Sequence, residues 1–162
     1  MSLAAVQEET SLDDDTLNQF VNTVRRFVDE RLIPLEAQVA SEDRMPPELI
    51  DEMREMGLFG LTIPQSYGGV GLNTLQECMV VMELGRAAPA FRSIIGTNNG
   101  IGSQGIVMDG TEAQKSYYLP RMASGEIIGS FALTEPNAGS DAGSLQTKAI
   151  RDGDEYVING TK

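Results

Sequence analysis

Histidine is absent from this 162-residue sequence, and cysteine occurs once. Without histidine, neither a His-based catalytic triad nor a His-ligated metal site can be assembled. The single thiol, Cys78, excludes an internal disulfide and fits a reducing compartment. Positive charge is scarce: 12 Lys and Arg stand against 24 Asp and Glu, a net charge of −12. Such a field repels nucleic acid, and no basic stripe offsets it. No apolar run approaches the length of a membrane span. The opening MSLAAVQEET has neither a basic-then-apolar signal nor an Arg-rich transit pattern. These absences predict a soluble intracellular protein that contacts neither nucleic acid nor membrane. What is present is globular: 41% of residues are apolar, in a chain long enough for one ordinary domain with a real core.

Along the chain, residues 1–14 read as a tail. A helix is expected to begin near Asp15 or Thr16, with Asp13 and Asp14 at the positive end of its dipole. Leu17, Phe20, Val21, Val24, Phe27, Val28, Leu32, Leu35 and Val39 then recur at helical spacing, and Pro34 should kink or divide the run. A second helix follows Pro46-Pro47, with Gly57 as its stop. After a Gly- and Pro-rich loop, Asn73 and Gln76 form the capping box of a third helix. That helix is apolar nearly all round, so it is expected to be central and buried, with Cys78 a small core residue. Phe91 to Met108 reads as a fourth helix despite Gly96, Gly100, Gly102 and Gly105, which suit close approach of a neighbouring helix or else of a bound molecule. Thr111 and Gln114 cap a fifth, which Pro120 should end or bend.

From Gly125 the pattern becomes extended. Ile127, Ile128, Phe131 and Leu133 predict a strand that Pro136 stops, because proline lacks the N–H that would continue a ladder. Asn137 to Gly143 are all small or turn-forming, a composition that can turn several N–H groups toward one anion. Thr134 would present its hydroxyl at the strand's end. Leu145 to Arg151 and Tyr156 to Ile158 predict two more strands joined by an Asp152-Gly153 turn, and Asn159-Gly160 is a further turn signal. The fold expected is mainly α: a bundle of about five helices, then the first strands of an incomplete β-barrel-like domain. Its divisions are a tail over 1–14, a helical domain over 15–124 and the beginning of a β-domain over 125–162.

LTEPNAGSDAG, from Leu133 to Gly143, closely resembles the signature of the acyl-CoA dehydrogenase family. IPQSYGGVGL (Ile63 to Leu72), YLPRMASGE (Tyr118 to Glu126) and DEYVINGTK (Asp154 to Lys162) resemble the same family, in the same order. The resemblance implies an FAD-dependent oxidoreductase of acyl-CoA metabolism. In such enzymes a base removes the α-proton of an acyl-CoA thioester while the β-hydrogen leaves as hydride to the flavin N5. It also implies that the β-domain from residue 125 onward is the FAD-binding one.

Carried over by motif position, Phe131 offers an aromatic surface where many relatives have tyrosine, and Leu133 gives backbone contacts to the flavin edge. Thr134 places its hydroxyl or N–H near N5 and O4. Gly139 and Ser140 bind the FAD pyrophosphate, and Ser140 also touches the CoA thioester side. Glu135, Pro136 and Asp141 shape the loop. Arg92, within Phe-Arg-Ser, resembles the arginine that meets the distal carboxylate in the glutaryl-CoA subgroup; the alternative is a solvated arginine at a helix start.

No residue of the chain is assigned a catalytic role or a metal. The glutamate base and a tryptophan-bearing strand are expected beyond Lys162, so the chain reads as an N-terminal portion, inactive alone and binding FAD weakly or not at all. The partners implied are an acyl-CoA substrate and an electron-transfer flavoprotein as acceptor. A homotetramer is implied for the complete enzyme, in the bacterial cytoplasm or the mitochondrial matrix. The other readings are an acyl-CoA oxidase or flavin hydroxylase on the same scaffold, or a non-catalytic helical interaction fragment.

Overall fold

The computed structural model describes residues 11–162, so most of the expected tail lies outside the described residues. The chain divides into two compact units, one ending at Ser130 and the other running Phe131–Lys162.

In the first unit, Asp13 caps helix α1 (Asp14–Phe27) by accepting the N–H of Thr16 at 2.9 Å. Leu17, Val21, Val24 and Phe27 recur on one face and are buried. Burying each contributes roughly 1.5–3 kcal/mol, which is what holds this otherwise charged helix in place. A π-helical turn, Val28–Leu32, then leads into α2 (Ile33–Glu42). Pro34 accounts for it: it has no N–H to give and its ring crowds the carbonyl four residues back, so the ladder widens and Ile33 reaches back to the carbonyl of Val28. Helix α3 (Pro47–Glu55) starts on a proline, and Gly57 follows its end in the left-handed region at φ 72°.

Between α3 and α4 the chain folds back on itself. Val70 donates to the carbonyl of Gly60 at 2.8 Å, Gly71 to Ile63 at 3.0 Å and Leu72 to Leu61 at 2.7 Å. This pairing needs Gly69, where a Cβ would stand 2.0 Å from the carbonyl oxygen of Ile63. Helix α4 (Thr74–Leu84) has the expected Asn73/Gln76 capping box. The Gln76 amide, itself buried, also pairs with Leu12 in both directions, at 3.2 and 2.7 Å.

The rest of α4 departs from expectation. Val80 and Leu84 are buried, but Leu75 and Met82 are 72% and 73% exposed and Cys78 is exposed. Cys78 is therefore not a core residue. An apolar face is buried only where a neighbour covers it, and α1 covers one side, clasped by the Arg25–Glu83 ion pair (2.7 Å), with Arg86 just past α4 paired to Asp29 of the π-helical turn (2.5 Å).

The expected fourth helix is two, α5 (Pro89–Asn99) and α6 (Ile101–Asp109), broken at Gly100. Gly100 takes φ −105° and ψ −119°, far from helical values, and this separates the two helices. Helix α7 (Glu112–Ala123) carries the Thr111/Gln114 capping box, and it runs through Pro120 rather than stopping there. Counted as rods, with α1–α2 and α5–α6 each interrupted once, the helical unit has the five expected.

The core joins α1, α3, α4 and α5 around Phe59, Leu61, Phe91 and Ile95, all 0–1% exposed. Two adjacent asparagines stitch its polar seams. Asn99 donates to the carbonyls of Leu58 (2.6 Å) and Ile95 (3.1 Å) and accepts the N–H of Leu61 (2.6 Å). Asn98 donates to the carbonyls of Met122 (3.0 Å) and Ile127 (2.9 Å).

In the second unit the only sheet among the described residues is an antiparallel hairpin, β1 (Lys148–Asp152) with β2 (Glu155–Asn159). Asp152 pairs with Glu155, so the loop is Gly153-Asp154, one residue later than expected, with Gly153 at φ 62°. The strand expected over Ile127–Leu133 does not form. A strand is defined by a partner ladder, and these residues have none among the described residues.

Candidate functional site

The second unit is organised by a two-residue turn at Pro136-Asn137. Glu135 and Ala138 exchange both backbone hydrogen bonds, at 2.9 and 3.1 Å, and form an isolated antiparallel bridge. Thr134 and Gly139 leave this closed bridge side by side. A second turn follows, where Ser144 returns its N–H (3.1 Å) and hydroxyl (2.5 Å) to Asp141.

Beneath the first turn the Glu135 side chain is buried and tied to three groups. Its oxygens accept the N–H of Gln146 at 2.7 Å and of Thr147 at 3.0 Å, and the Lys162 ammonium lies 3.0 Å away. The Thr147 hydroxyl, the N–H of Gln146 and the Lys162 ammonium, with the Thr147 N–H, hold its pKa down at about 2. The two amides and the ammonium bind the carboxylate directly. So Glu135 is a permanent anion that anchors the loop, with no proton to exchange at neutral pH. Lys162 reaches further, donating to the carbonyl of Leu133 at 2.9 Å.

On the outside, Phe131, Leu133, Thr134, Gly139 and Ser140 are all exposed. The N–H groups of Phe131, Ala132, Leu133 and Thr134 donate to no acceptor among the described residues. Nothing stands within 4 Å of where a Cβ of Gly139 would lie. A row of unpaired donors beside an open Gly-Ser loop suits a planar acceptor carrying a diphosphate, and the residues present fit FAD on that ground. The structure thus brings five of the six expected site residues onto one short segment and its turn. Lys162 is the member that sequence reasoning missed; its only signal is a lone cation beside the Asn159-Gly160 turn.

Arg92 belongs to the helical unit. It sits exposed in the first turn of α5, its guanidinium folded over Gly96 with Nη1 3.0 Å from where a Cβ would stand. Its charge acts on Glu77 of α4, whose carboxyl is pushed up by burial and drawn partly back by Arg92. Glu77 lines a cavity of about 250 Å³ with Thr62, Asn99 and Gln104. Among the described residues no cluster of His, Cys, Asp and Glu could hold a metal, and no helix is long and apolar enough to cross a membrane.

Comparison with known proteins gives two family matches: "Acyl-CoA dehydrogenase, N-terminal domain" over residues 14–126 and "Acyl-CoA dehydrogenase, middle domain" over residues 130–162. The chain is 43% identical over 150 residues to (2S)-methylsuccinyl-CoA dehydrogenase of Cereibacter sphaeroides, covering 92% of this chain and 27% of that protein. A glutaryl-CoA dehydrogenase solved in complex with glutaryl-CoA superposes with a TM-score of 0.79 at 32% identity, over 93% of this chain and 38% of that one. A Bacillus anthracis acyl-CoA dehydrogenase complexed with FAD also gives 0.79, at 34% identity, over 91% of this chain and 26% of that one. The chain therefore spans well under half the length of each protein it matches here.

Proposed function

Because the chain belongs to the acyl-CoA dehydrogenase family, through its N-terminal domain and the start of its middle domain, we propose that it supplies part of the flavin and substrate site of an FAD-dependent acyl-CoA dehydrogenase. The observation that carries the proposal is the exposed run Phe131–Thr134, with its unpaired N–H groups, set beside the open Gly139-Ser140 loop by the closed Glu135–Ala138 bridge. The boundary between the helical domain and the FAD-binding β-domain falls near residue 125.

FAD bound there supplies the two-electron acceptor for the hydrogen that leaves the substrate's β-carbon. Phe131 gives the ring an aromatic surface, and Leu133 gives backbone contacts to its edge. Thr134 offers an N–H and a hydroxyl where negative charge develops on reduction, the arrangement in which a fixed donor stabilises most. Gly139 and Ser140 hold the diphosphate through backbone N–H groups and a hydroxyl, and Ser140 also meets the CoA thioester. Arg92 receives the distal carboxylate of a dicarboxylic acyl group; the relatives named for methylsuccinyl-CoA and glutaryl-CoA support that substrate class. The α-proton goes to a base outside this chain. The complete enzyme is a homotetramer that passes its electrons to an electron-transfer flavoprotein.

Flavin retention tests the assignment. The complete protein should purify with stoichiometric FAD, and Thr134→Val combined with Ser140→Ala should lower the flavin content at least severalfold. A wild-type protein without flavin, or a double variant that retains all of it, contradicts the proposal.

A further inference from the structure

The second unit carries an ion pair that does more than close a loop. Lys162 Nζ lies 3.0 Å from Glu135 Oε1 and also donates a 2.9 Å hydrogen bond to the carbonyl of Leu133. Glu135 is in turn fixed from below by the N–H groups of Gln146 and Thr147. The chain arrives at Lys162 by way of Gly160, which lies so close to Thr147 that a Cβ would stand 2.0 Å from its Oγ1. The backbone leading to Lys162 thus lies close against Thr147, and the ammonium is held at its far end by Glu135 and the Leu133 carbonyl.

The carbonyl of Leu133 and the N–H of Thr134 belong to one planar trans peptide unit, so they point in opposite directions. A cation fixed on the carbonyl oxygen therefore turns the Thr134 N–H to the far side and polarises it into a stronger donor. That N–H has no acceptor among the described residues. We propose that Lys162, held by Glu135, is the positioning residue that aims the Thr134 N–H at the flavin; this rests on the flavin reading above. Lys162 touches neither cofactor nor substrate, and it acts through the peptide plane between Leu133 and Thr134.

The test uses Lys162→Gln and Lys162→Arg. In the chain itself, free of cofactor, Lys162→Gln should move the amide resonance of Thr134 while helical-unit amides stay in place as the folding control. Lys162→Arg, which can still donate to Leu133, should return Thr134 to near its original position. In the complete protein with its flavin, Lys162→Gln should shift the flavin midpoint potential to more negative values, because the reduced ring loses a polarised donor, and Lys162→Arg should restore most of it. An unmoved Thr134 resonance, or a potential unchanged in Lys162→Gln, overturns the role of Lys162 while leaving the flavin reading intact. A complete wild-type protein that carries no flavin overturns the reading on which that role rests.

Discussion

The N–H of Gly129 donates to the Asn98 side-chain oxygen at 2.7 Å, tying the exit of the helical unit to the end of α5. Asn98 is fully buried, and its nitrogen also serves the carbonyls of Met122 and Ile127. One amide thus satisfies three backbone groups at the point where the chain leaves α7 for the Phe131–Thr134 segment. Asn98→Ala strands all three and should lower stability by about 2–4 kcal/mol. Urea unfolding of the helical unit checks this: the midpoint should fall with little change in slope.

Glu135 sets an acid limit on the second unit. Its folded pKa of about 2 lies below the ordinary glutamate value of 4.5. The unfolded chain therefore binds the extra proton over that interval, and stability rises with pH across it. The contribution is complete above about 4.5 and is lost as pH falls through about 2. A carbon NMR titration should place the Glu135 carboxyl midpoint near 2. Glu135→Gln should loosen Gln146 and Thr147 amide protection already at neutral pH, whereas unchanged protection there removes the anchoring role.

Cys78 projects from α4 into solvent. A thiol reagent should modify it stoichiometrically in the folded chain without denaturant, at a rate close to that of a free thiol. Protection until unfolding would restore Cys78 to the core.

Arg92 lies free of ion pairs to hydrogen-bond distance among the described residues, with its guanidinium over Gly96. In the complete enzyme, Arg92→Ala should raise KM for a dicarboxylic acyl-CoA at least tenfold, about 1.4 kcal/mol. KM for a monocarboxylic one of equal length should change little. An equal effect on both substrates, or none on either, removes the carboxylate role.

How much of this was legible depends on the range of the forces involved. The capping boxes at Asn73 and Thr111 and the left-handed stop at Gly57 are settled within four residues, and the sequence shows them directly. The burial of α4 is settled by which faces its neighbours reach. A helix apolar on every side therefore exposes Leu75 and Met82 while burying the polar Gln76, which Leu12 engages from 64 residues away. The strand expected over Ile127–Leu133 failed for the same reason: a ladder needs a partner, and propensity does not provide one. The hairpin slipped by one residue because Gly153 can take the first loop position as readily as the second. The motif points to Thr134, Gly139 and Ser140, but not to Lys162, which fastens the carbonyl of Leu133 from 29 residues further along. Nor did it disclose Asn98 and Asn99, whose signal was only two amides interrupting an apolar helical pattern.

The most direct test of the account is to mix the complete protein anaerobically with acyl-CoA thioesters and record its visible flavin spectrum. We expect a bound flavin whose oxidised band bleaches with a saturable acyl-CoA dependence. A protein with no flavin band, or a bound flavin that no acyl-CoA bleaches, would contradict the assignment of the Thr134–Ser140 segment to a dehydrogenase site.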